Sequence, residues 1–229
     1  MNNIIQNYRN IAAKVENLSQ GKTFLLAVSK TFPASDIKVL YDHGIRDFAE
    51  SRLQELDPKA KELPSDIKWH FIGHLQSNKV RKVVPLVSVI HSVDSVSLLD
   101  KIDRAAADFK HKIDCFLEFN PGEESKTGAD FSAADELFER AKQCSEFCNI
   151  CGIMGMAPLG GTEEENRAAF RKLRELAQYG MEKFGLHLNE LSMGMSGDYE
   201  AAIAEGSTVV RIGSAIFGCR DYSQSSSCN

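Results

Sequence analysis

Thr23-Phe-Leu-Leu-Ala-Val-Ser-Lys30 is a short apolar run, followed by a turn at Thr31-Phe-Pro33 and an amphipathic stretch, Ser35 to His43, that stops at Gly44. Such a run reads as a buried strand, and the stretch behind it as a helix closed by glycine. The same couple recurs down the chain. Further apolar runs lie at Asp47 to Ala49, Trp69 to Gly73, Ser88 to Ser92, Ile113 to Asn120, Ile150 to Met156, Glu190 to Met195 and Val209 to Ile212. Between them Ser95 to Phe109 is long and amphipathic, and Thr162 with Glu165 has the pattern of a capping box opening a helix through Phe184. Eight strand–helix units with no composition shift or Ser/Pro-rich linker predict one (β/α)8 TIM barrel rather than an open doubly wound sheet. An extra N-terminal helix, Asn3 to Leu18, precedes it, with Ile4, Tyr8, Ile11 and Val15 at helical spacing. Residues 1–222 are read as this single domain, and Ser223 to Asn229 as a disordered polar tail.

Of 229 residues, 43% are hydrophobic and 26% charged, which excludes a disordered or fibrous chain. Lys and Arg total 27 against 32 Asp and Glu, a formal charge of -5, so the basic face of a nucleic-acid binder is not expected. No window approaches the roughly 20 apolar residues of a membrane helix, and the first residues lack the pattern of a secretory leader. A cytoplasmic protein without membrane contact is expected. The six cysteines read as reduced thiols, and the single CxxC at Cys148 and Cys151 lacks the second pair that a structural zinc site needs, so no metal is expected.

In a barrel of this kind the chemistry sits at the C-terminal ends of the strands. The first strand closes on Lys30, and period-two alternation puts it on one face with Leu26 and Val28. A lysine in the barrel mouth loses solvation, its pKa falls, and its neutral amine becomes a nucleophile toward a carbonyl. The alternatives are a salt bridge to a barrel acid such as Glu118, or a surface position. After the seventh strand comes Ser196-Gly-Asp198, and the eighth carries Arg211 and then Gly213-Ser214. Barrels bind phosphate in these two loops through backbone amides, a hydroxyl and a helix N-terminus, and Ser196 with the Gly213 and Ser214 amides fits that use. Two turns of small residues are the plain alternative. Strands 1 and 8 become neighbours on closure, so an aldehyde with a phosphate at its other end satisfies both loops. Pyridoxal 5'-phosphate is such a cofactor, and a sugar phosphate in an aldolase is another. Arg211 bears on the choice, because a guanidinium at a ring nitrogen can only donate and leaves that nitrogen unprotonated.

Ala27-Val-Ser-Lys30, Trp69-His-Phe-Ile-Gly-His-Leu-Gln-Ser-Asn-Lys79, Leu191-Ser-Met-Gly-Met-Ser196 and Val210-Arg-Ile-Gly-Ser-Ala-Ile-Phe-Gly218 occur together and in order. By these motifs the chain resembles the pyridoxal-phosphate homeostasis family (YggS/PROSC), from its first helix to about Arg220. The resemblance implies the fold-type III barrel of alanine racemase and pyridoxal 5'-phosphate held on Lys30 as an internal aldimine. It implies that Ser196, Gly213 and Ser214 hold the phosphate and that Arg211 faces the pyridine nitrogen. Ala49 and Ser51 stand where the family has Gly and Asn, so Ser51 reaches less far toward the cofactor. Asn120, Glu123 or Glu124, Lys126 and Gly128 resemble the family's fifth-strand loop, with Pro121 altering it.

Racemases of this fold draw a second base, a tyrosine, from an additional C-terminal domain, and this sequence ends soon after its eighth strand. A monomeric carrier that holds the cofactor and hands it to pyridoxal-dependent apoenzymes is therefore expected before a weak amino-acid racemase, and no catalytic residue is assigned. His70 and His74 are expected to pack and hydrogen-bond, Lys79, Arg81 and Lys82 to form a solvated face, and Met154, Met156, Met193 and Met195 to fill the core.

Overall fold

Eight short parallel strands close on one another in chain order in the computed structural model, which describes residues 3–122 and 127–218. They are β1 (Phe24–Val28), β2 (Asp47–Glu50), β3 (Lys68–Phe71), β4 (Val89–Val93), β5 (Ile113–Glu118), β6 (Cys148–Met154), β7 (Glu190–Ser192) and β8 (Val209–Ile212). The helices are α1 (Ile4–Ser19), α2 (Ala34–Tyr41), α3 (Leu53–Glu62), α4 (Val80–Val83), α5 (Val96–Phe109), α6 (Ala134–Ala141), α7 (Glu163–Phe184), α8 (Tyr199–Ala204) and α9 (Ser214–Phe217). The expected barrel is present. The tail from Ser223 and the loop residues Glu123, Glu124 and Lys126 lie outside the described residues.

Alternation along the strands produces two apolar regions. Leu25, Ala27, Phe48, Trp69, Ile90 and Cys115 face outward into the layer between sheet and helices, the larger core. Leu26, Val28, Ala49, Phe116, Met154 and Val209 point inward and fill the barrel as side-chain layers do in such folds. Ala49 sits in the regular ladder of β2, opposite His70 and Val28, where glycine's extra freedom has no use. Glycine is needed elsewhere: a Cβ on Gly152 would stand 1.8 Å from the Glu190 carbonyl oxygen of the adjoining strand.

Local signals set the helix ends. Thr162 and Glu165 bond each other's backbone N–H groups in the expected capping box of α7, and α7 stops at Gly185 in the left-handed conformation. α1 begins at the Asn3 cap, and Asn7 donates to the Ile216 carbonyl at 3.0 Å, tying the N-terminal helix to α9 at the other end of the chain. No helix among the described residues is long and apolar enough to cross a membrane.

Candidate functional site

β1 ends at Val28, and Ser29 and Lys30 carry the chain into the turn at the C-terminal mouth. Ser29 is buried and Lys30 half-buried. Lys59 from α3 donates to a Glu50 carboxylate oxygen at 2.7 Å and to the Ser29 carbonyl at 3.1 Å, while the Ser29 hydroxyl donates to the same Glu50 oxygen at 2.7 Å. Burial pushes the Glu50 carboxyl up in pKa, and Lys59 opposes that shift. Glu55 accepts the Thr31 N–H at 2.6 Å, and Thr31 has φ +73°, an outlier for a β-branched residue. The turn that carries Lys30 is thus held from below by a buried ion pair.

β8 lies beside β1, with Leu26 opposite Arg211 and Ala27 opposite Ile212. The corner at Gly213 therefore meets the corner at Lys30. A Cβ on Gly213 would stand 3.0 Å from the Val28 carbonyl oxygen, so only glycine lets these backbones lie this close without a shift. Phe32 and Phe217 stack with ring centres 5.0 Å apart and join the two loops. Ser214 opens α9, and its hydroxyl donates to the Ser196 hydroxyl at 3.2 Å. Ser196 arrives there because Gly194 turns the chain at φ +92°, where a Cβ would collide with Ala202, and because Asp198 accepts the Met195 N–H. Two hydroxyls and the backbone at the start of α9 form a cradle suited to an anion.

Arg211 is buried in the barrel at 5% exposure. One terminal nitrogen of its guanidinium donates to the Ser192 carbonyl and, at 2.7 Å, to the Ser192 hydroxyl; the other donates to the Gly155 carbonyl at 3.2 Å. Burial lowers its pKa to about 10, against the pull of Glu118 and Asp198. Behind Ser192 lie His91 (Nδ1 to Oγ 2.9 Å), His70 (Nδ1 to His91 Nε2 3.0 Å) and Asp47 (Oδ1 to His70 Nε2 3.2 Å).

Lys30, Ser196, Arg211, Gly213 and Ser214 thus come from adjoining strand ends of one mouth. His74 lies beyond β3, exposed, with Nδ1 3.4 Å from Asp94. Arg81 and Lys82 are exposed, Arg81 pairing with Asp108. Met154 and Met193 are core residues, but Met195 is 36% exposed, because the Gly194 turn carries it out of the sheet. The Ser51 backbone is pressed against the third-strand loop, where a Cβ on Gly73 would stand 2.1 Å from the Ser51 carbonyl oxygen. Near the CxxC, the Cys144 and Cys148 sulfurs gather with Asp103, whose carboxylate takes the Arg140 guanidinium at 2.8 Å and the Ser145 N–H at 2.9 Å. Hydrogen bonding to Cys148 and then burial push the Cys144 thiol up. Sequence reasoning missed Glu50, Lys59, His91 and Ser192. Alternation on β4 marks His91 as inward, but inspection of strand ends alone passes over a residue in mid-strand.

Over residues 1–221 the chain matches the family model described as alanine racemase, N-terminal domain. It is 44% identical over 201 residues to the pyridoxal phosphate homeostasis protein of Synechocystis sp., a match covering 86% of this chain and 91% of that one. The chain belongs to the pyridoxal phosphate homeostasis protein family. The family's member from Homo sapiens is 37% identical over 227 residues, covering 93% of this chain and 82% of its own. A solved structure of PipY from Synechococcus elongatus PCC7942, described as having PLP bound, matches with TM-score 0.83 and 37% identity over 94% of this chain and 100% of that one. An alanine racemase of Clostridium difficile 630, at TM-score 0.72 and 16% identity over 93% of this chain and 57% of that one, shares the fold.

Proposed function

We propose that this protein binds pyridoxal 5'-phosphate in the mouth of its barrel and serves intracellular vitamin B6 and amino-acid homeostasis by holding and passing on the cofactor. What carries the reading is the meeting of three features on neighbouring strands: Lys30 after β1, the Ser196–Ser214 hydroxyl pair, and the buried guanidinium of Arg211. Each suits the chemistry of one part of the cofactor: its aldehyde, its phosphate and its ring nitrogen. When bound, pyridoxal phosphate supplies a reactive aldehyde on a conjugated pyridine ring. Lys30 holds the aldehyde carbon as a Schiff base. The Ser196 and Ser214 hydroxyls and the Gly213 and Ser214 amides donate to the phosphate, with the start of α9 behind them. Arg211 faces the ring nitrogen, and because a guanidinium only donates, that nitrogen stays unprotonated and withdraws fewer electrons than a pyridinium. That weaker pull suits storage better than turnover. The protein works as a cytoplasmic monomer, and pyridoxal-dependent apoenzymes receive its cargo.

The test is the visible spectrum of the purified protein with pyridoxal phosphate, followed by borohydride reduction and peptide mapping. A Schiff-base band, with the reduced adduct on the peptide containing Lys30 and neither in Lys30→Ala, is expected. Absence of the band in the unaltered protein would overturn the reading. Sustained amino-acid racemisation that is lost in Lys30→Ala would make the protein an enzyme instead.

A further inference from the structure

Five polar side chains from β2, β3, β4, β7 and β8 cross the apolar interior of the barrel in single file: Asp47, His70, His91, Ser192 and Arg211. His91 and Ser192 are fully buried, and His70 is 7% exposed. His91 stacks on Phe116 with ring centres 4.4 Å apart, which fixes its plane. The two ends of the file set the direction of its hydrogen bonds, since Arg211 can only donate and the Asp47 carboxylate can only accept. A guanidinium carries no acceptor, so the Ser192 hydroxyl oxygen must accept from Arg211. A hydroxyl oxygen can accept twice, but among the described residues the only acceptor bonded to Ser192 Oγ is His91 Nδ1, so the hydroxyl proton goes there. With Nδ1 accepting, the neutral His91 ring carries its proton on Nε2 and donates to His70 Nδ1. His70 in turn carries its proton on Nε2 and donates to Asp47. Burial above all holds the His91 imidazole well below its usual pKa, so the ring is neutral as this chain of donors requires.

We infer that Asp47, His70, His91 and Ser192 form a one-way hydrogen-bond wire that sets the orientation of the Arg211 guanidinium, making them positioning residues for the cofactor ring. The inference rests on the assignment of Arg211 to the pyridine nitrogen proposed above. Ser192 and the Gly155 carbonyl use both hydrogens of one terminal nitrogen and one of the other. Two guanidinium hydrogens are left for a ligand: the second on the Gly155-bound nitrogen and that on Nε. Among the described residues no carboxylate forms a salt bridge with Arg211, so its position is set by neutral acceptors backed by a carboxylate four hydrogen bonds away. A file whose three inner members, Ser192, His91 and His70, each accept and donate strengthens the next bond and penalises any rotation that breaks the order.

The wire is testable without the cofactor. In a long-range proton–nitrogen NMR spectrum of the ligand-free protein, His70 and His91 are expected to show bare Nδ1 and protonated Nε2. A protonated Nδ1 on either ring would overturn the wire, whatever the protein binds. Its role at the site is read by spectrophotometric titration with pyridoxal phosphate. His91→Leu, which keeps bulk but neither accepts nor donates, is expected to weaken binding about tenfold, equivalent to about 1.4 kcal/mol, and to shift the visible band. His91→Gln can accept from Ser192 and donate to His70, and is expected to restore both affinity and band to near those of the unaltered protein. Ser192→Ala, which removes one oxygen, is the second breaking variant if His91→Leu does not fold. Unchanged affinity and band position in the breaking variant that folds, or equal losses in His91→Gln and that variant, would overturn the positioning role. A protein that shows no Schiff-base band at all, with the tautomers as expected, would instead sink the cofactor assignment and with it the role at the ring, leaving the wire as structure alone.

Discussion

Lys30 owes its place to residues on either side of it. Ser29 is drawn inward by its bonds to Glu50 and Lys59, and Thr31 turns the chain at φ +73° with its N–H on Glu55. Left-handed backbone costs an L-residue about 1–2 kcal/mol. The Thr31 side chain is exposed, so little packing offsets that strain. Thr31→Gly is therefore expected to leave stability unchanged or raise it by up to about 1.5 kcal/mol, since the strain removed is opposed by glycine's unfolded-state entropy of about 0.5–1 kcal/mol. Urea unfolding of the ligand-free protein measures this. A clear loss of stability would show that the threonine side chain outweighs the strain. The lysine, its turn and the paired serines Ser196 and Ser214 were legible in the sequence because strand ends and small-residue loops carry local signals. Met195 was misplaced for the same reason: its strand pattern continues, but Gly194 ends the strand.

At the scale of elements, the pair Glu50–Lys59 joins β2 to α3 underneath the first-strand turn. Glu50 is fully buried and one of its oxygens has no hydrogen-bond partner, so the carboxylate depends on Lys59 for compensation. Removing one member of a buried pair strands the other's charge and costs about 3–5 kcal/mol. Lys59→Met should thus lose stability of this order, whereas Glu50→Gln, which keeps an acceptor for Ser29 and leaves Lys59 its second carboxylate, Glu55, at 3.6 Å, should lose less. The comparison of the two denaturation midpoints is the measurement, and the reverse order would refute the account. Neither residue was legible as a partner beforehand. Glu50 follows an apolar run and Lys59 stands in a charged helix, Leu-Gln-Glu-Leu-Asp-Pro-Lys-Ala-Lys-Glu62, where a lysine reads as one more solvated residue.

At the scale of the molecule, α7 is fastened to the end of α8 through Glu205, a carboxylate with 3% exposure and three arginines, Arg167, Arg171 and Arg174, within 3.2 Å. Burial alone would raise its pKa, but the hydrogen bonds from Arg171 and Arg167 and the charges of Arg171 and Arg174 outweigh burial and hold it below the ordinary value. The folded state therefore binds this proton less readily than the unfolded chain. Its contribution to stability is complete above the unfolded pKa of about 4.3 and is lost as pH falls through the folded value. Glu205→Gln should lower stability near neutral pH and flatten the fall below about pH 4.3, as followed by urea midpoints across that range. An acid limb as steep as that of the unaltered protein would contradict this.

Strand and helix periodicity are local properties of the chain, so the sequence by itself determined the (β/α)8 barrel, the capped helix after Thr162 and the mouth at which Lys30, Ser196, Arg211, Gly213 and Ser214 stand. Which interior side chains meet was decided only by tertiary structure. His91 and Ser192 are 101 residues apart and on strands that are not neighbours. Closure of the barrel and the inward turn of alternate residues bring them within 2.9 Å, and no short window of sequence contains that distance.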